Sequence, residues 1–125
     1  MTRTVASMAS PRYPTLHLYL ADLSPVAAGS MQAMIDCVLG QFPQLSLKMA
    51  WNVPQLHLGK QYVMGFSAAK RHLSVSPWST DVMRHFADRL QAFDPTDNLF
   101  RVPLDWQPDA ELLHDLVKAR LAETV

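Results

Sequence analysis

The sequence predicts an α+β domain: an antiparallel sheet of about five strands, a meander plus a late edge strand, with helices packed mainly on one face. Three observations predict it. The apolar period changes from helical to alternating at Leu45 and stays alternating to Ser76. Gly59-Lys60 falls between two alternating runs, where glycine supplies the positive φ that a two-residue hairpin loop needs. Helical stripes lie before and after this stretch rather than between its strands, the segregated order of an α+β fold.

Taken in order, residues 1–12 read as a disordered lead-in and 13–125 as one domain, with Pro11 and Pro14 holding the entry extended. Leu16, Tyr19, Leu20 and Leu23 keep helical spacing, although Leu16, Leu18 and Leu20 would equally suit a strand. Ser24-Pro25 is a helix start, serine capping and proline at the first helical position. Met31, Met34, Ile35, Val38 and Phe42 form its apolar stripe, and Gly40 and Pro43 stop it.

The first strand runs from Leu45 to about Trp51, and Asn52-Val53-Pro54 turns the chain. Strands follow at Gln55 to Leu58, Gln61 to Ser67 and Arg71 to Ser76, where Pro77 ends the ladder. Ser79 or Thr80, with Asp81, caps a helix presenting Val82, Met83, Phe86 and Leu90. Asp94-Pro95-Thr96-Asp97 turns into an edge strand from Leu99 to Leu104. The closing helix begins near Pro108 with the stripe Leu112, Leu113, Leu116, Val117 and Leu121.

Composition narrows function by exclusion. A chain of 125 residues suits one domain and is long enough to fold without staples. Eleven basic and eleven acidic residues cancel, which speaks against a nucleic-acid footprint. No stretch approaches the roughly 18 apolar residues of a membrane span, and the N-terminus lacks the apolar core of a signal peptide. The lone Cys37 cannot form an intramolecular disulfide and suits a reducing compartment, so a cytoplasmic location is expected.

Strand register predicts the site. If Leu58 opposes Gln61, then His57 opposes Tyr62 and Leu56 opposes Val63. A turn at Ala68-Ala69 sets Ser67 against Lys70 and Gly65 against His72. One face then carries Tyr62, Met64, Phe66, Leu73 and Val75 as core. The other is mixed and carries Leu56, Leu58, Val63, Gly65, Lys70, His72 and Ser74. On it Lys70 and His72 stand over a shallow site floored by Gly65, with Lys48 and Trp51 at its border. An aromatic wall with convergent polar groups is what a small-ligand site requires. Lys48, Trp51, Lys70 and His72 are therefore the candidate ligand-binding residues, and a solvated sheet face is the plain alternative.

No catalytic constellation emerges, and an enzyme is not expected. The five histidines form no i, i+4 pair with an acid between them, so no zinc site is expected. His57 falls on the apolar face. Glu111, His114 and Asp115 read as a solvated helical face. Cys37 lies in a helix without a neighbouring base, as an inert thiol. Trp78 and Trp106 read as rims of the core.

The run Lys48-Met49-Ala50-Trp51-Asn52-Val53-Pro54, then Gly59-Lys60, then Val63 to Ser74 resembles the YdhG-like family. That is a domain of unknown function that includes a bacterial frataxin-like intracellular iron chaperone. Phe100 to Leu104 and Leu116 to Leu121 look like the family's tail, so the resemblance spans Tyr13 to Glu123. Asn52-Val53 stands where many members have Gly-Met. With the mixed sheet face and the lack of a catalytic constellation, a non-enzymatic binding domain with a small molecule or metal as partner is expected, and the resemblance implies iron as a ligand. The acids that would serve iron are spread over the second half of the chain, from Asp81 to Asp115. The alternative is a protein-interaction module or homodimer using the edge strand near Phe100 or an exposed tryptophan.

Overall fold

The computed structural model describes residues 12–123. The lead-in expected to be disordered lies outside the described residues except for Arg12. Helices α1 (Leu16–Ala21) and α2 (Pro25–Gln41) come first, followed by strands β1 (Ser46–Ala50), β2 (Val53–Leu58), β3 (Gln61–Ala68) and β4 (His72–Ser76). Short helices α3 (Thr80–His85) and α4 (Ala87–Leu90) lead to strand β5 (Phe100–Pro103) and helix α5 (Ala110–Ala122). The five strands form one antiparallel sheet in sequence order, β1-β2-β3-β4-β5. The α+β expectation is met.

The caps form where the side chains allow them. Ser24 Oγ accepts the Ala27 amide, Ser79 Oγ that of Val82 and Asp109 Oδ1 that of Leu112. Each satisfies a first-turn N–H that lacks an intrahelical partner. The stretch from Leu16 resolves as a helix, with Thr15 as its cap. The single helix expected over Val82 to Leu90 is broken at Phe86, whose ring is buried beneath the Arg89 guanidinium.

One face of the sheet is the core. Leu56, Met64, Phe66, Leu73, Val75, Phe100 and Val102 are buried on it against Met31, Met34, Ile35 and Val38 of α2 and Leu112, Leu113, Leu116 and Val117 of α5. Burying each such side chain is worth about 1.5–3 kcal/mol, so this layer dominates stability. Among the described residues no helix is laid across the other face.

Two register features decide what that open face displays. The β3–β4 pairing sets Gly65 opposite Ser76, Ser67 opposite Ser74 and Ala68 opposite Leu73. The expected partner of Gly65, His72, is therefore displaced by four residues. Strand β3 runs one residue further than expected, and Ala69 N–H donates to the His72 carbonyl across the turn. An even displacement keeps each residue on its expected face and moves it along the strand.

The second feature is a β-bulge. Gln55 opposes Gly65 and Leu56 opposes Met64, but His57 opposes Tyr62, leaving Val63 as the extra residue in β3. Val63 and Met64 are both wholly buried, so the alternation skips a step there. Tyr62, expected in the core, is thereby turned onto the open face, and Leu56 and Val63, expected on the mixed face, enter the core. His57 opposes Tyr62 as expected, but the same step sets the pair on the open face, where His57 is half-buried with its Nδ1 2.9 Å from the Gly59 carbonyl oxygen. It is not a core histidine.

Candidate functional site

The β1–β2 connection is tighter than expected. Ala50 pairs with Val53, so Trp51-Asn52 is a two-residue loop, and both residues have positive φ (52° and 65°). That is the signature of a type I′ hairpin, whose twist matches the strands it joins. Asparagine tolerates this geometry; tryptophan is disfavoured by it, and a non-glycine residue held there costs on the order of 1–2 kcal/mol. Trp78, just after β4, is also held at positive φ, 59°.

The two strained tryptophans meet Tyr62 between them. The Trp51 and Tyr62 rings lie 5.1 Å apart, Tyr62 and Trp78 are 5.1 Å apart and nearly parallel at 27°, and Trp51 and Trp78 are 5.4 Å apart. Trp51 remains 67% exposed and Trp78 36%, so the cluster is a surface platform rather than a rim of the core. Lys48 places its ammonium 5.1 Å from the centroid of Tyr62, a cation–π distance.

Beneath the platform lies a row across the open face: Lys48, Gln55, Gly65 and Ser76 on adjacent strands. Gln55 is 4% exposed, and its Oε1 accepts the Trp78 indole N–H at 2.9 Å. A Cβ on Gly65 would fall 2.4 Å from that same oxygen, so only glycine leaves room for the amide. Ser76 Oγ accepts the Trp78 backbone N–H and donates to the Asn98 carbonyl, fixing the approach to the third ring.

A cleft of about 590 Å³ opens beside the platform, lined by Arg12, Tyr13, Lys48, Met49, Trp51 and Asn52. Its far wall is tied to the hairpin, because Asn52 Oδ1 accepts the Tyr13 N–H at 2.7 Å. Tyr13 in turn donates its hydroxyl to Asp22 at 2.6 Å, and that bond holds the phenol above its ordinary pKa.

Of the four residues expected to share a site, Lys48 and Trp51 are together. Lys70 lies in the β3–β4 turn and His72 at the start of β4, opposite Pro103. His72 is on the same face as Gly65, but four residues from the Ser76 row, roughly 13 Å along the strand. Tyr62, Gln55 and Trp78 take the places that Lys70 and His72 were expected to fill. The signal for Trp78 was its position directly after the Ser76-Pro77 strand end; nothing in an unbroken apolar run reveals a bulge.

Elsewhere, His114 is drawn away from Glu111 and Asp115. Its Nε2 lies 3.0 Å from the Cys37 carbonyl oxygen and 3.5 Å from Cys37 Sγ. A carbonyl only accepts, so Nε2 carries the proton and has no lone pair with which to take one from the thiol. Burial, and secondarily Asp109, push that thiol up. Asp115 pairs with Arg89 at 2.8 Å. Among the described residues no three His, Cys, Asp or Glu side chains gather as a metal site, and no helix is long and apolar enough to cross a membrane.

No family model matches the chain. It is 25% identical over 107 residues to a protein of Bacillus subtilis (strain 168) described as the intracellular iron chaperone frataxin, covering 84% of this chain and 87% of that one. The crystal structure of YdhG, a DUF1801 family protein from Bacillus subtilis, matches with a TM-score of 0.80 at 24% identity, over 86% of this chain and 89% of the other. An uncharacterized conserved protein from Lactobacillus casei matches with a TM-score of 0.60 at 25% identity, over 87% and 91%. In sequence and in fold, the chain resembles the YdhG-like, DUF1801 proteins.

Proposed function

We propose that this protein is a non-enzymatic binding domain whose site is the open sheet face around Trp51, Tyr62 and Trp78. The observation that carries this reading is the pairing of exposure with strain. Two of the three rings stand on left-handed backbone, a cost that persists only where something else requires the geometry. Core burial does not require it, since Trp51 is mostly in solvent. A bulge that re-aims a side chain beside a ligand site is a recurrent use of that irregularity, and here it delivers Tyr62. Ring stacking against a ligand is worth about 1–3 kcal/mol per ring, enough to make such a platform a binding surface.

The test is a thermal-shift and NMR screen of ring-bearing small molecules, comparing the parent chain with Trp51→Ala. Ligands that shift the parent's Trp51 and Trp78 indole signals and lose affinity in the variant support the reading. Ligands that bind both proteins equally sink it.

A second reading is iron handling, supported by the likeness to the protein described as an iron chaperone. Here iron would be cargo, and a cation of this kind needs several oxygen or imidazole ligands together. Anaerobic calorimetric titration with ferrous iron tests it: micromolar binding supports the role, and none at that level removes it. The alternative of a homodimer through the exposed Trp51 or an edge strand is read by the mass in solution.

A further inference from the structure

We infer that the ligand of this platform is a small planar aromatic anion, its ring stacked on Trp51 and its charge held between Lys48 and Arg12. The inference rests on the platform reading and adds the chemical class. Three observations lead to it. First, among the described residues the cleft beside Trp51 is lined by two cationic side chains, Arg12 and Lys48, and by no acidic one. In a chain with no net charge, that local imbalance is a selective feature. Second, Lys48 belongs to both parts of the site. Its ammonium lies over the Tyr62 ring while the same side chain lines the cleft. A ring on the platform and an anion in the cleft are thus within reach of one residue.

Third, one polar edge of the platform is already occupied. The Trp78 indole N–H is committed to Gln55, so that end offers a ring face without a donor. Charge recognition is left to the Lys48 and Arg12 end. The cleft's volume of about 590 Å³ is within the range of small-ligand sites. Neither cation is paired with a carboxylate in a salt bridge among the described residues, so both are available to an incoming anion. A cationic ring would meet two like charges there, and a neutral ring would gain stacking alone.

The probes are 8-anilinonaphthalene-1-sulfonate and N-phenyl-1-naphthylamine, which share rings and differ by the sulfonate. Binding is followed by fluorescence and by the three indole N–H signals in NMR. The sulfonate is expected to shift the Trp51 and Trp78 signals, leave Trp106 unmoved, and bind at least about fivefold more tightly than its neutral partner. Arg12→Glu with Lys48→Glu, both at exposed positions, should abolish or reverse that preference while the neutral probe still binds.

Displacement of the sulfonate by indole-3-acetate marks a carboxylate ligand, and displacement by adenosine monophosphate a phosphate. Displacement by tryptamine, the same ring bearing a cation, overturns the assignment. Equal binding of the two dyes by the parent also overturns it, while leaving the platform reading intact. If neither dye moves the Trp51 and Trp78 signals, the platform reading itself fails.

Discussion

The Gln55 carboxamide oxygen occupies the space in which a side chain on Gly65 would begin, and from there it accepts the Trp78 indole N–H at 2.9 Å. A buried amide therefore connects a glycine floor to an exposed ring. Gly65→Ala must displace the amide and break its bond to Trp78, at a cost of about 1–2 kcal/mol. In a Gln55→Ala background the obstruction is gone, and the same substitution should be close to neutral, since alanine is favoured over glycine in a strand. A double-mutant cycle by chemical denaturation measures this. Additive losses would show that Gly65 is required for some other reason.

Trp51 separates stability from binding. Its left-handed backbone costs on the order of 1–2 kcal/mol, while its contact with Tyr62 returns about 0.5–1.5 kcal/mol. These terms nearly offset. Trp51→Gly, which suits a type I′ loop, should leave stability within about 1 kcal/mol of the parent and remove binding at the platform. By contrast Leu73→Ala, at a wholly buried position, should cost about 2–5 kcal/mol. A large loss of stability in Trp51→Gly would mark the tryptophan as structural.

The extent of the sequence's legibility follows from the same strands. Helix α2 was readable to within a residue because Ser24-Pro25 and the stripe from Met31 to Val38 agree. The Gly59-Lys60 hairpin was readable because one residue type dominates its turn. The β3–β4 register was not, since Ala68-Ala69-Lys70-Arg71 contains no residue that dictates a loop length. Across β3 and β4 the faces survived because that displacement was even, whereas Leu56, Tyr62 and Val63 changed face at the bulge; the site did not survive, because neighbours along a strand changed. Tyr62 was misplaced for a different reason. Tyr62 to Phe66 is apolar throughout, so a skipped step leaves no trace in the pattern, and only packing of both Val63 and Met64 into the core decides it.

Tyr19 ties helix α1 to the end of β3, its hydroxyl accepting the Ala68 N–H at 2.9 Å. Burial holds this phenol above its ordinary value of 10.0, only partly opposed by that hydrogen bond. A group whose pKa is raised on folding contributes stability below its unfolded value and loses it as pH rises through the folded one. Stability should therefore fall above pH 10, with Tyr13 adding in the same direction. Tyr19→Phe should cost about 1–2 kcal/mol at pH 7, because the Ala68 amide loses its partner, and should show a weaker alkaline decline. Denaturation midpoints between pH 8 and 11 decide it; parallel curves for the two proteins would refute the assignment.

Cys37 and His114 look like a nucleophile and its base, yet their geometry predicts the opposite. The proton on Nε2 points to the Cys37 carbonyl, and burial raises the thiol above its ordinary 9.0. Alkylation by iodoacetamide at pH 7 should be at least about tenfold slower than for the unfolded chain, and should accelerate as pH passes 9. If His114 only covers the sulfur, His114→Ala exposes it and speeds the reaction. If it served as a base, the same substitution would slow it. The direction of that one rate change therefore decides between a covering role and a base, and the proton on Nε2 predicts the faster rate.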